Sequence, residues 1–354
     1  MYFLNFCILF LQETRGFLGS HFGMQCPILV YIIFGLQSFL FFTDLFSNKF
    51  YMPKIGLLLF VFAPLYLYNN LALHCIFIIL NIINLRKITL KQIVRYIFII
   101  QIFFLFLSFA ILFLGIVNDT IWRMPKGVGH TLGFRNPNGT SSFLTNELLI
   151  FSLFLLICKK INNLDFILII PAYIIYKVTC GRTYFIGILF YILFLILFRF
   201  KIFYRHNYKL YSFAPLLLGA LLIVGIKVYE QYPIIDLLFS KRLSWSKAIL
   251  DEFSLINYFI GTSYVPDGLT VDSSYLFIVC EAGIISVTLF MMLYTSFVRK
   301  TTSADAKVFY PFIFFILIAG VTEITFPTFS TINVIFYKIL YETARKRNLK
   351  ESLL

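Results

Sequence analysis

Apolar runs broken by short polar stretches recur along almost the whole chain. Each is close to the ~17–25 residues that carry an α-helix across a bilayer. The runs fall near 2–19, 27–46, 54–68, 71–85, 96–117, 143–158, 164–180, 183–199, 210–228, 273–298, 308–326 and 328–343. Inside hydrocarbon every backbone N–H and C=O must pair within its own segment, so the runs predict helices. Gln12, Glu13 and Arg15 interrupt the first run, and the third and fourth are short and meet at Asn69 and Asn70, as a hairpin would. The pattern therefore predicts an all-α fold, a polytopic transmembrane helical bundle of about 10–12 spans. No internal repeat or low-complexity linker divides the chain, so residues 1–354 form a single integral membrane domain.

Composition agrees. Hydrophobic residues make up 60% of the chain, aromatics 19% and charged residues only 13%, and mean hydropathy is +0.89. A soluble domain carries about 25% charged residues, so too little polar surface exists here to cover a water-soluble globule. The six cysteines lie singly in or beside apolar runs, with no CxxC and no Cys/His cluster. They read as small apolar residues, and neither a metal nor a cofactor is expected. The N-terminus lacks the basic start and small-residue cleavage site of a removable signal peptide, so Met1 onward is expected to be mature chain. Ile, Phe, Asn and Lys usage suggests an AT-rich bacterial genome.

Charge gives the orientation. When the connections are numbered alternately, one side holds twenty of the thirty basic residues and five of the sixteen acidic ones. The positive-inside rule makes that side cytoplasmic and puts both termini there, in a multi-pass protein of the bacterial cytoplasmic membrane. The net charge of +14 is spread over short loops rather than gathered in one patch, which argues against nucleic acid as a partner. Two connections on the outer side are long, 118–142 and 229–272. In the second, "IIDLLFSKRLSWSKAILDEF" spaces its apolar residues as a helix lying on the membrane surface would.

The informative residues are basic ones facing outward, against the orientation trend. Arg123, Lys126 and Arg135 lie in the first outer loop, Arg182 in the tight turn "KVTCGRTYF", and Lys241 and Arg242 in the second outer loop. A charge near bilayer depth costs roughly 2.5–3.5 kcal/mol even on lenient insertion scales, so such residues face a partner or a cavity. Arg135, Arg182 and Arg242 from three outer segments are expected to converge on one anion, guanidinium forks matching phosphate oxygens. The bland alternatives are snorkelling and structural ion pairs.

In "GFRNPNG", Pro137 forces Asn136 out of the α region, while Asn136 and Asn138 bond to backbone or to a hydroxylated ligand. The same stretch also suits an ordinary turn, with Thr140, Ser141 or Ser142 as N-cap of the following span. His130 is a candidate proton acceptor or phosphate contact, or simply a solvated loop histidine. Asp272 is placed to N-cap the span from 273, and Tyr275 to act as an interfacial aromatic. Glu323 lies in a mainly apolar segment near the outer end of its span. It either neutralises Arg182 or Arg242 or accepts a proton; Glu147 and Glu281 are weaker copies.

Taken in order, "LGFRNPN" at 132–138, "TCGRT" at 179–183, "SKRLSW" at 240–245, Gly261, "VDSSYL" at 271–276, Gly283, Glu323 and Asn333 resemble the bacterial repeat-unit polymerases of O-antigen, capsule and exopolysaccharide (Wzy-like). The resemblance covers about residues 120–335. Gly181 stands where that family usually has Ser, Lys241 where Gly is common, and Ser273 where Asn is usual. The resemblance implies a glycosyltransferase that joins undecaprenyl-pyrophosphate-linked oligosaccharide repeat units on the outer face, by inverting, metal-independent transfer and without a cofactor. Arg135, Arg182 and Arg242, with Arg123 in reserve, would hold pyrophosphate, while Asn136, Asn138 and Tyr275 would contact the glycan. Glu323, then His130 or Asp272, would activate the acceptor hydroxyl. Membrane lipids, a flippase and a chain-length regulator of the same pathway are the implied partners. Three alternatives remain, an O-antigen ligase-like transferase, a lipid-linked-oligosaccharide flippase or other transporter, and a purely structural membrane partner. A transporter favours charged or broken helices near the midplane and repeated halves, and neither is clear here.

Overall fold

The computed structural model describes residues 2–47, 72–124, 127–159, 167–200, 203, 211–239, 241–262, 269, 271–325 and 330–351. The expected span at 54–68, together with Lys126, lies outside them. Among the described residues the protein is mostly helical, 79% helix in fourteen helices.

The first five helical segments are α1 (Tyr2–Phe22), α2 (Pro27–Ser47), α3 (Ala72–Asn84), α4 (Leu90–Phe113) and α5 (Pro137–Leu153), the last continuing as a π-helix over Phe154–Lys159. There follow α6 (Ile169–Thr179), α7 (Arg182–Leu197), α8 (Ala214–Val228), α9 (Pro233–Leu238), α10 (Arg242–Asp251), α11 (Leu255–Ile260), α12 (Ser274–Lys300), α13 (Ser303–Ala319) and α14 (Thr331–Glu351). Three of these segments, Leu90–Phe113, Pro137–Lys159 and Ser274–Lys300, are long and apolar enough to cross a membrane; α2, α6, α7 and α8 contribute shorter apolar stretches.

Helix starts differ from the sequence expectation where local chemistry decides them. α4 begins several residues early because Thr89 and Gln92 form a reciprocal capping box. α5 starts at Pro137 rather than after Thr140–Ser142: Asn136 is extended (φ −154°, ψ 157°) and its Oδ1 accepts the Gly139 N–H at 2.7 Å. Proline at the first helical position gives up a donor that has no helical partner anyway. The loop 118–142 also contains an element that helix-period reasoning does not see, an antiparallel ribbon of β1 (Ile121–Met124) and β2 (Gly127–His130) pairing Trp122 with Gly129.

The centre of the bundle is formed by α13 and α14. Phe309–Leu317 and Ile332–Leu340 are buried almost throughout, and a helix apolar on all sides belongs inside. Around them, outer helices present apolar side chains outward: Phe106 is 70% exposed, Phe113 92%, Ile170 66% and Leu221 62%. Water penalises such a surface and hydrocarbon does not. α12 kinks at Ala282 and Gly283, where α11 lies against it. Gly283 has φ +62°, and a Cβ there would stand 2.1 Å from the Phe259 carbonyl oxygen, so only glycine permits this approach.

Candidate functional site

Two breaks in the chain aim two arginines into one hollow. Between α6 and α7, Cys180 turns left-handed (φ 55°) and Gly181 N-caps α7, which makes Arg182 its first residue. A Cβ at position 181 would lie 2.0 Å from Ser141 Oγ on α5. Glycine, where the resembled family has serine, is therefore what lets α5 approach the turn here.

The second break divides the surface helix expected over 234–253 into α9 and α10. Lys241 adopts φ 65°, and Asp236 reaches across the break to accept the Leu243 and Ser244 N–H groups at 3.0 and 3.1 Å. The orphan donors of α10 are thereby satisfied, and Arg242 opens that helix.

The Arg242 guanidinium is held between two carboxylates. Its Nε lies 3.3 Å from Asp272 Oδ2 and its Nη1 lies 2.7 Å from Glu323 Oε1, while Nη1 also donates to the Thr322 carbonyl. Arg242 is only 14% exposed. Burial by itself would lower its pKa, but Glu323 first and Asp272 second outweigh that and raise it above the ordinary value. Asp272 is not the N-cap of α12, as its position suggested. Ser273 holds that place and donates through Oγ to the Gly320 carbonyl, which leaves the Asp272 carboxylate for Arg242. Ser274 stitches the same helix start to the turn after α13. Its N–H donates to the Gly320 carbonyl at 2.8 Å and its Oγ to the Glu323 carbonyl at 2.8 Å, and that Oγ accepts the Thr325 N–H at 2.6 Å. Both carboxylates thus sit on backbone tied together by hydrogen bonds.

Asn138, Arg182, Tyr184, Phe239, Arg242 and Glu323 line a cavity of about 430 Å³. Arg182 and Arg242 share it as expected. Arg135 does not: together with Asn136 it lines a second, larger cavity of about 1010 Å³ that also contains Arg15. The turn before α5 stands between the two, with Asn136 on one side and Asn138 on the other. The expected meeting of three arginines in one hollow is therefore corrected to two. The reason is that Arg135 N–H donates to the Ser20 carbonyl at the end of α1, and its guanidinium lies over Gly23.

The remaining candidates lie elsewhere. His130 Nδ1 is 2.6 Å from Asp119 Oδ2 on the ribbon, and His130 lines neither cavity. Partial burial would raise the Asp119 carboxyl, but hydrogen bonding to His130, Leu132 N–H and Thr131 holds it below its ordinary value. Arg123 is an exposed residue of β1. Tyr275 is half-buried beside Leu222, Ile226 and Leu243 and donates to the Leu317 carbonyl at 3.1 Å; its place is in packing rather than at an interface. Glu281 is fully buried and accepts from Cys75. Among the described residues no group of three or more His, Cys, Asp or Glu is placed to hold a metal ion.

Sequence reasoning treated Gln12, Glu13 and Arg15 as defects in a poor span, yet all three line the larger cavity. The available signal was their polarity inside an apolar helix, the very criterion that picked out Glu323. No family model, curated protein or solved structure matches the chain.

Proposed function

We propose that the protein is a multi-pass membrane glycosyltransferase of the repeat-unit polymerase class. It joins glycans carried on undecaprenyl pyrophosphate at the outer face of the bacterial cytoplasmic membrane. The observation that carries the proposal is the single cavity shared by Arg182, Arg242, Glu323 and Asn138, at the end of the bundle where charge bias puts the outside. The ordered resemblance from "LGFRNPN" to Glu323 supports the same class.

In the proposed reaction, the acceptor sugar hydroxyl attacks the anomeric carbon of the donor glycan from the face opposite its phosphate. A new C–O bond forms as the bond from the anomeric carbon to the pyrophosphate oxygen breaks, inverting the centre. The hydroxyl proton passes to the Glu323 carboxylate, and the leaving pyrophosphate keeps the bonding electron pair. Arg182, at the first position of α7, stabilises that developing charge together with the helix N-terminus. Arg242, already between Asp272 and Glu323, is a positioning residue: it fixes the direction of the Glu323 carboxylate.

The test is the lipid-linked product in cells. Arg182→Ala and Glu323→Gln are expected to abolish long polymer while single lipid-linked repeats accumulate on the outer leaflet. Repeats trapped on the cytoplasmic leaflet would overturn the proposal in favour of a flippase. Full-length polymer that fails only to reach its final acceptor would favour a ligase-like transferase.

A further inference from the structure

The larger cavity is unused by the chemistry above. It runs between α1, α3, α4, the turn before α5 and the start of α14, and its volume of about 1010 Å³ lies at the upper end of ordinary ligand sites. Arg15 and Arg135 reach it from different elements, and among the described residues neither forms an ion pair. Glu13, the acid that lines it, already accepts the Thr331 hydroxyl at 2.7 Å. Three further lining groups are buried with no hydrogen-bond partner among the described residues: Gln12 Oε1, His74 Nδ1 and Gln101 Oε1. Stranding a buried polar atom costs about 1–3 kcal/mol, and these three belong to side chains that wall one hollow. Gly23 contributes as well: its φ of +68° suits glycine, and the Arg135 guanidinium lies 3.4 Å from where a Cβ would stand.

We infer that this cavity is a second pyrophosphate-binding site, the one that holds the lipid-linked acceptor. The inference rests on the proposed function, because joining two lipid-pyrophosphate-linked glycans brings two pyrophosphates to one protein. The smaller cavity has Arg182 for one of them, since Arg242 is engaged by Asp272 and Glu323. Arg15 and Arg135 hold the other. The Asn136–Asn138 turn between the two cavities then separates donor from acceptor.

The test uses purified full-length protein in detergent, titrated with farnesyl pyrophosphate and, in parallel, with inorganic pyrophosphate. The wild type is expected to bind two equivalents of the farnesyl probe, Arg182→Ala one, and Arg135→Ala to lose the other, weakened about tenfold or more. Arg135 is exposed, so its replacement spares the fold; Arg15→Lys, which keeps the charge, serves beside Arg15→Ala and should bind better than it. Equal affinity for inorganic pyrophosphate would make this a free-anion site and overturn the lipid-linked assignment. Two equivalents retained in Arg135→Ala and in Arg15→Ala would overturn the site altogether, even if polymer assays succeed. Conversely, two-site binding lost in these variants, in a strain whose defect is not in polymerisation, would leave the second site standing while the polymerase proposal fell.

Discussion

Arg242 Nη1 and Glu323 Oε1 stand 2.7 Å apart although one opens α10 in the long segment 229–272 and the other follows α13. The contact joins the helix of the long loop to the turn that follows α13, one of the two helices at the centre of the packing. Asp272 on the other side of the same guanidinium makes it a carboxylate–guanidinium–carboxylate bridge, in which one positive charge stands between two acids at close range.

Arg242→Ala is therefore expected to destabilise the protein more than Glu323→Gln. Removing one member of a fully buried pair costs about 3–5 kcal/mol. With Arg242 and Glu323 14% and 15% exposed, about 2–3 kcal/mol is expected for Arg242→Ala, because two carboxylates are left facing each other. Glu323→Gln should cost about 1 kcal/mol, since an acceptor oxygen remains. The double variant Arg242→Met with Glu323→Gln should fall short of the sum. Thermal unfolding in detergent measures all three, and strictly additive losses would mean the bridge has no energetic content.

Arg182 should behave in the opposite way. No ion pair engages it among the described residues, so Arg182→Ala should change stability by no more than about 0.5 kcal/mol while abolishing polymer. Arg182→Lys should restore activity only in part, because an ammonium cannot grip two phosphate oxygens in a fixed fork. A melting loss as large as that of Arg242→Ala would make Arg182 structural.

Gly181→Ser tests whether close helix approach sets the position of Arg182. The added Cβ would meet Ser141 Oγ at 2.0 Å and Ser141 Cβ at 2.5 Å, and overpacking of this kind costs about 1–3 kcal/mol. Activity should fall with stability, as α7 is pushed from α5. Adding Ser141→Gly, which removes both clashing atoms, should recover most of the loss, whereas Ser141→Ala, which keeps the Cβ, should recover less. Equal rescue by both would place the conflict elsewhere.

The helical class, the positions of most helices and the pairing of an outward arginine with Glu323 are legible in the chain because each follows from a local signal: an apolar period, or a charge in the wrong medium. What stays hidden is set by tertiary contact. Which of two cavities Arg135 enters depends on its backbone bond to Ser20 on α1, and no spacing rule connects those positions. Asp272 looks like an N-cap in sequence and becomes an ion-pair partner because Ser273 takes the cap position. The break at Lys241 needs Asp236 to supply the bonds that a continuous helix would have made. Arg15 shows the same limit: in sequence its charge looks like a flaw in a span, and only the fold makes it the wall of a cavity.

The ribbon of β1 and β2 should respond to acid through Asp119. Its carboxyl titrates below the ordinary value in the folded protein, burial being outweighed by bonds involving His130, Leu132 N–H and Thr131. A carboxyl whose folded pKa is depressed adds stability that is fully present above its unfolded value, about 3.9, and is lost as pH falls through the lower folded value. The ribbon should therefore be unchanged from neutral pH down to about 4 and should loosen only below that. Trp122, paired with Gly129, reports this directly once Trp245, the only other tryptophan, is replaced by Phe. Its emission should shift with a midpoint under the ordinary carboxyl value, and Asp119→Asn should abolish the transition and leave the ribbon looser at all pH values. A midpoint above the ordinary value, or the same transition in Asp119→Asn, would show that another group controls the ribbon.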